Sequence, residues 1–540
     1  MTLDADIDAV TLEVVRNQFE SLAEEMGQVL IRGAYSPNIK EREDCSTALF
    51  DAEGRLVAQA EHIPVHLGAM PEAVEVVREH DPEPGDVFVL NDPFAGGTHL
   101  PDVTMVSPIG REGETLGYAV SRAHHADVGG ATPGSMPAGA REIFEEGLRL
   151  PPVRLVDGGD VVEDVMRLLL ANVRNPDERR ADLRAQIAAN DRGAERLHDL
   201  VDDHGLAEIR AAFDAVVDYS HERFTSELAA LPDGTYRARD VLEGDGRSDA
   251  DVPIEVAVTV DGETVTVDFA GTADQVEGNV NAPLAVAKSA VYFVLRCVTD
   301  PEIPPNQGCY DPITIEAPRG SVLNPEPPAA VVGGNVETSQ RVTDVVFAAL
   351  ADAVPERVPA QGQGTMNNLT IGSRGGEFAY YETIGGGAGG RPTGDGLDGV
   401  QVGMTNTLNT PVEALENEYP LRVEQYGLRP DSGGDGRHRG GLGVVRTVTV
   451  EADATVSLLT ERRRVAPKGV AGGEDGATGE NRIDGERVSA KVVRDIEAGT
   501  TVSIRTPGGG GHGPPAERDS GARADDEADG KVTPDAGDDT

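Results

Sequence analysis

The sequence predicts an α+β chain of several lobes, helical in its N-terminal half and middle and rich in strands and glycine loops toward its C-terminus. Three observations carry this. Apolar residues recur at helical spacing in residues 9–34, and residues 161–230 read as mostly helical. Apolar and polar residues alternate in Val103 to Ile109, in Leu116 to Ala123 and in the stretch VPIEVAVTV-DG-ETVTVDFAG. Glycine supplies 65 of 540 residues, and beyond Thr365 it falls in runs between strands. A chain of this length exceeds what one hydrophobic core usually organises. The expected division is a helical and hairpin lobe over about 1–232, a β-rich lobe over about 233–515 and an acidic, disordered tail over 516–540.

The first helix carries Leu12, Val15, Phe19, Leu22, Met26 and Val29 on one stripe, and Gly33 with the Ser36-Pro37 turn ends it. Two short strands, Thr47 to Phe50 and Leu56 to Ala60, flank the turn at Asp51 to Gly54 and lead into a loop with His62 and His66. Those histidines have i, i+4 spacing, but Pro64 between them argues against a shared helix face. A helix over Pro71 to Glu79 and a strand over Asp86 to Asn91 follow. The alternating runs 103–109 and 116–123 form a hairpin about the turn-like Gly110 to Glu114. A Pro/Gly-rich loop, ATPGSMPAGAREIFEEGLRLPPVRL, is too long for a plain connector and is expected to line something. The helical stretch 161–230 shows interruptions near Pro176 and Gly193. Asp261-Gly262 provides the positive φ angles of a second hairpin turn. Helices are expected over Pro283 to Thr299 and Thr338 to Ala353, and the last strand ends near Ile504.

Charge speaks about solvent. Acidic residues outnumber basic ones 94 to 47, for a net charge of −47, and lysine occurs only at positions 40, 288, 468, 491 and 531. Self-repulsion on this scale is screened at molar salt, where the Debye length is about 3 Å. The composition therefore reads as that of an extreme halophile. Nucleic-acid binding needs a basic stripe, and none is visible. No apolar run reaches the roughly 18 residues of a membrane span, and the N-terminus is acidic where a signal peptide is basic. A cytoplasmic location is expected. Cys45, Cys297 and Cys309 are too scattered for a disulfide framework or a zinc ribbon.

The chemistry concentrates in residues 91–130. His99-x-x-Asp102 and His124-His125-x-Asp127 bracket the hairpin strands. A hairpin centred near Gly113 sets Asp102 opposite His124, which gathers His99, Asp102 and His124 at one end of a rigid ribbon. Histidine with aspartate suits a divalent zinc, manganese or iron ion. His125 and Asp127 remain further ligands or groups that orient them. The bland alternative is a set of polar loop residues with one hydrogen-bonded core histidine. Gly385 to Gly390 contains a formal G-x-G-x-x-G, but Arg391-Pro392-Thr393-Gly394 follows where a dinucleotide site needs a helix. Pro507 to Gly511 has no Walker lysine after it. Close backbone packing is the favoured reading of both glycine runs. The cysteines have no neighbouring histidine, and no G-x-S-x-G elbow occurs. Glu41, Arg42 and Asp44 read first as a solvated charge cluster.

The stretches SPNIKERED, HIPVHLGAMP, NDPFAGGTHLPDVTMVSPI, AHHADVGG, EIFEEGLRLPP, LNPEPPAAVVGGNVETSQR, QGTMNNL, YYETIGGGAGG, MTNTLNTPVEALE and TPGGGGHG together resemble the hydantoinase B/oxoprolinase family over about residues 8–519. This family groups the B subunits of N-methylhydantoinases, the C-terminal half of 5-oxoprolinases and a subunit of acetone and acetophenone carboxylases. The resemblance implies an A-type, actin-like ATPase partner that binds the ATP and phosphorylates a carbonyl oxygen. This chain would then bind no ATP itself and would finish the reaction on a small cyclic amide within a hetero-oligomer. The resemblance also implies a divalent metal on His99, Asp102 and His124, as in the ketone carboxylases. Attack by water activated at that site would release a proton to Asp127 or His125, with Glu41 as a further candidate for gating or acid–base work. Backbone N–H groups of the glycine loops would hold the developing charge. Cys45-Ser46 departs from relatives that carry an aromatic residue before the serine. The alternatives are a ketone carboxylase subunit and a non-catalytic scaffold for the A-type partner.

Overall fold

The structure, a computed structural model, describes residues 8–373 and 375–534. Helix α1 (Ala9–Gly33) is capped by Asp8, whose carboxylate accepts the backbone N–H groups of Val10 and Thr11. Its buried stripe is Val15, Phe19, Leu22, Met26 and Leu30. A seven-stranded antiparallel sheet follows, made of β1 (Cys45–Asp51), β2 (Leu56–Glu61), β3 (Val87–Leu90), β4 (Asp102–Arg111), β5 (Glu114–His124), β6 (Val153–Asp157) and β7 (Asp160–Val161). Its strand order is β2-β1-β5-β4-β3-β6-β7, so the predicted hairpin lies at its centre.

Both faces of this sheet are covered, which is why β4 and β5 are buried along nearly their whole length. One face takes α1 and the long helices α2 (Pro176–His204) and α3 (Leu206–Ala229), with Ala119, Leu49, Val57 and Phe19 in one apolar cluster with Leu197 and Phe213. The opposite face, with Val106, Tyr118 and Val120, joins the main core. That core also holds helices α4 (Leu284–Val298) and α5 (Ser339–Leu350) and a four-stranded sheet. The four-stranded sheet contains β8 (Gly234–Leu242), β9 (Val252–Asp261), β10 (Thr264–Asp268) and β11 (Ile313–Glu316), in the order β11-β10-β9-β8. Two further sheets lie in the C-terminal part. One contains Ala379–Glu382, Asn368–Gly372, Ala454–Leu459 and Lys491–Ile496. The other is built on Leu421–Leu428, Val444–Val450 and Thr500–Arg505. No helix among the described residues is long and apolar enough to cross a membrane. Helices and several sheets thus make a mixed α+β chain.

Three local expectations need correction. Helix α2 runs through Gly193 without a break. A Cβ there would lie 2.6 Å from Met26 Sδ and 3.1 Å from the Ala119 Cβ, so the glycine admits helix α1 and strand β5 rather than ending a helix. In the second hairpin Asp261 pairs with Thr264, so the turn residues are Gly262 and Glu263, and Gly262 carries the positive φ. The tail assigned to disorder is ordered over its described part. Helix α6 (Ser520–Ala528) is capped by Asp519, and Arg518 joins Asp395 at 2.8 Å and Asp526. Thr533 donates through its backbone N–H to Asp431. Charge pairing does here what apolar burial does elsewhere, which a composition rule for disorder does not count. Residues 535–540 of that expectation lie outside the described residues.

Candidate metal centre

The hairpin register is the one the sequence dictates. Asp102 pairs with His124 and Val103 with Ala123, and this ladder continues to Ile109 opposite Gly117. A bulge between Ile109 and Gly110 shifts only the tip, where Glu112 and Gly113 turn the chain with φ of 56° and 85°. The cluster end therefore keeps its register whatever happens at the turn. Side chains alternate across a strand, so Asp102 and His124 share a face with the next row, Thr104 and Arg122.

His99 reaches the same point from the loop before β4. Its Nε2 lies 2.9 Å from Asp102 Oδ1, and His124 Nδ1 lies 3.2 Å from that oxygen. The three side chains are 0, 1 and 3% exposed. One ligand atom from each lies within 4.8 Å of the others. Ligands about 2.1 Å from a metal lie about 3.0 Å apart at a right angle and about 3.4 Å apart at the tetrahedral angle. The His99–Asp102 and Asp102–His124 spacings, 2.9 and 3.2 Å, lie at or close to that window. Nδ1 of His99 and Nε2 of His124 are buried without a hydrogen-bond partner, and His99 Nε2 has only the Asp102 carboxylate beside it. Buried imidazole nitrogens seldom go unpaired. The donor set, the spacing and the orphaned nitrogens all fit a divalent cation. Asp102 Oδ2 is held on the other side by Thr98 Oγ1 at 2.8 Å and Asn335 Nδ2 at 3.3 Å, which leaves Oδ1 toward the histidines. Burial alone would raise the Asp102 carboxyl, but His99, His124 and His66 around it hold it well below the usual carboxylate range.

The other three residues singled out from sequence do not join this cluster. His125 follows His124 directly, so alternation turns it to the opposite face, toward α2. There its Nε2 meets Gln186 Oε1 at 2.9 Å, and burial pushes its pKa down to about 4. Asp127 organises the loop after β5. It accepts the backbone N–H groups of Gly129, Gly134 and Arg174 and pairs with the Arg174 guanidinium at 2.9 Å. With these partners it has no spare lone pair positioned for proton transfer. Glu41 caps the single helical turn Pro37–Lys40, and it shares no hydrogen bond or ion pair with the cluster among the described residues.

The structure adds residues that sequence reasoning passed over. His66 is buried, with Nε2 3.5 Å from Asp102 Oδ2 and Nδ1 2.9 Å from Ser46 Oγ. Pro64, which argued against a helix face, starts the 3-10 turn Pro64–His66 that delivers His66 inward. Tyr381 stacks on His124 at 4.7 Å with an interplanar angle of 13°. Its hydroxyl donates to Asn368 Oδ1 at 2.9 Å, and Arg42 lies 5.4 Å from its ring centroid. Asn335 belongs to a π-helical turn, Gly334–Thr338, that leads into α5. The ring and the amide arrive from parts of the chain more than two hundred residues away, so no local pattern marks them.

The glycine loops spend backbone N–H groups on one another and on neighbouring backbone. Gly387 donates its N–H to Pro507 O, Gly509 to Gly441 O and Gly510 to Gln361 O. A Cβ on Gly509 would lie 2.0 Å from Ala388 O. Backbone packs on backbone with no side chain between, so these N–H groups are already taken. A separate cavity of about 670 Å³ lies beside this layer, lined by Asp240, Asp344, Phe347, Gln361, Gly389 and Lys468 among others, and none of the three cluster residues lines it.

The family profile Hydantoinase B/oxoprolinase matches residues 8–515. The chain is 41% identical to 5-oxoprolinase 1 of Arabidopsis thaliana over 94% of its own length, but it covers only 42% of that longer protein. An ATP-dependent caprolactamase from Pseudomonas jessenii superposes with a TM-score of 0.92 at 30% identity, over 98% of this chain and 95% of the other. An acetone carboxylase chain shares the fold, with a TM-score of 0.88 at 19% identity, over 98% of this chain and 78% of the other.

Proposed function

The chain belongs to the hydantoinase B/oxoprolinase family, and from that premise we propose that it is the hydrolytic subunit of an ATP-dependent cyclic-amide hydrolase. The observation that carries the reading is the buried His99, Asp102 and His124 cluster within a chain that matches this family nearly end to end. The matched region is 42% of the Arabidopsis 5-oxoprolinase, and the ATP-dependent half of the reaction is assigned to a second chain. We assign that chain the A-type ATPase role. It would phosphorylate the ring carbonyl oxygen and so make the neighbouring carbon electrophilic. The substrate class is a small lactam or cyclic imide such as 5-oxoproline, hydantoin or N-methylhydantoin.

His99, Asp102 and His124 would hold a divalent ion, which supplies Lewis-acid polarisation beside the carbon under attack. The chain's own residues fix the rest. Thr98 and Asn335 hold Asp102 in one rotamer, and the stacked Tyr381 fixes the imidazole plane of His124. His66, tied to Ser46, closes the remaining side of the Asp102 carboxylate. The whole cluster is buried, which strengthens every charge interaction within it.

Co-expression with an A-type subunit, in molar KCl to suit the −47 net charge, tests the reading. The expected result is ATP hydrolysis coupled to ring opening of one of these cyclic amides and dependent on both subunits. Turnover of acetone with bicarbonate in place of any cyclic amide would move the chain to the carboxylase class. Full activity in the Asp102→Ala variant would make this chain a scaffold.

A further inference from the structure

Two residues before His124, on the same face of the hairpin, Arg122 is fully buried. Its partners are all neutral. Nε donates to Thr104 Oγ1 at 2.8 Å, and Nη2 reaches the carbonyls of Ala69 and Gly96 at 3.3 Å. Nη1 has no partner, and Arg122 forms no ion pair among the described residues. Burying a guanidinium without a carboxylate is costly, and the usual solution is a paired anion. The carboxylate that acts on it most is Asp102, which already belongs to the three histidines around it.

Arg42, 5.4 Å from the Tyr381 ring that stacks on His124, is buried as well, and its partners are also neutral. A divalent cation on His99, Asp102 and His124 would add positive charge beside Arg122, an arginine that has no carboxylate of its own. An anion bound between the two would offset both. A planar guanidinium with a vacant N–H is the side chain best suited to meet phosphate oxygens.

We propose that Arg122 is an anion-binding residue of this site and holds the phosphoryl group of the incoming intermediate. This rests on the reading that the substrate arrives phosphorylated and that the cluster holds a divalent cation. The alternative role, pinning the Gly96 carbonyl and with it the loop that carries His99, predicts a different pattern of loss.

Calorimetric titration of inorganic phosphate into the full chain, with and without Mn²⁺, separates the two. The expected result is phosphate binding strengthened at least about tenfold by Mn²⁺ in the wild type, with acetate, a monoanion, gaining far less. Manganese should also broaden the ³¹P resonance of the bound phosphate. In Arg122→Met phosphate affinity should fall about tenfold or more, and in Arg122→Lys less. Both variants should keep Mn²⁺ affinity within about threefold of wild type. Phosphate binding that ignores Mn²⁺ in the wild type overturns the proposal without need of any variant. So does a Met variant that loses Mn²⁺ affinity and phosphate affinity alike. Failure of the wild type to bind Mn²⁺ at all would instead overturn the metal reading beneath it.

Discussion

The cluster end of the β4–β5 hairpin and the glycine layer of the C-terminal part use the chain in opposite ways. At the hairpin end a regular antiparallel ladder holds the backbone still, and alternation delivers Asp102 and His124 to one face. In the glycine layer the backbone segments themselves touch, and Gly387, Gly509 and Gly510 spend their N–H groups on neighbouring carbonyls. The hairpin end is specified by which side chains are present, the layer by which are absent. The first can carry chemistry and the second cannot, although both are buried and both stand out in the sequence.

Substitutions should separate the two regions. The largest expected effect is on turnover. Asp102→Ala removes the shared ligand and should cut activity with the partner subunit at least about a hundredfold, while denaturant midpoints stay close to wild type. Gly509→Val should do the reverse. A Cβ there meets Ala388 O at 2.0 Å, so stability should fall by about 3 kcal/mol or more, read by equilibrium unfolding in high salt. Gly113→Ala at the hairpin tip, with open space around it but a φ of 85°, should cost only about 1 kcal/mol and leave metal binding intact.

A smaller effect depends on pH. Glu146 accepts the N–H groups of Val331 and Val332, just before the π-helical turn, and burial pushes its pKa up to about 8. The folded chain then keeps this proton to about pH 8, whereas the unfolded chain releases it near the usual glutamate value, about 4.3. The folded state binds the extra proton across that interval, so this group's contribution to stability falls as pH rises from about 4.5 to about 8 and is level outside it. Glu146→Gln should flatten that part of the profile, measured as denaturant midpoints at pH 5 and pH 8.5. The smallest effect is at the tail. Arg518→Ala loses its bridges to the partly exposed Asp395 and to the buried Asp526, which keeps Arg439 as a partner, and should cost about 1 kcal/mol.

Sequence carried the hairpin because a period-two pattern and a turn near Gly113 fix a register, and the register alone brings Asp102 to His124. The same periodicity, applied one residue further, separates His125 from His124. That consequence is legible in the doublet itself, whatever its residue types suggest. Asp127 is an apt acid–base residue by composition, yet its partners come from Gly134 and Arg174, which no spacing announces. His66 carried a signal, the i, i+4 pair with His62, that the intervening proline obscured. Asn335 and Tyr381 carried none. The glycine runs declared close packing plainly and hid only their neighbours, because a backbone contact leaves no side-chain pattern to read.

The central claim is that His99, Asp102 and His124 form the metal centre and that His125 and Asp127 do not. Calorimetric titration of Mn²⁺ and Zn²⁺ into the metal-stripped chain in molar KCl tests it most directly. The predicted result is one site per chain, lost in Asp102→Ala and His99→Ala and kept in His125→Ala and Asp127→Ala, the last of these less stable. Binding that survives both Asp102→Ala and His99→Ala, or that disappears with Asp127→Ala while the chain stays folded, would contradict it.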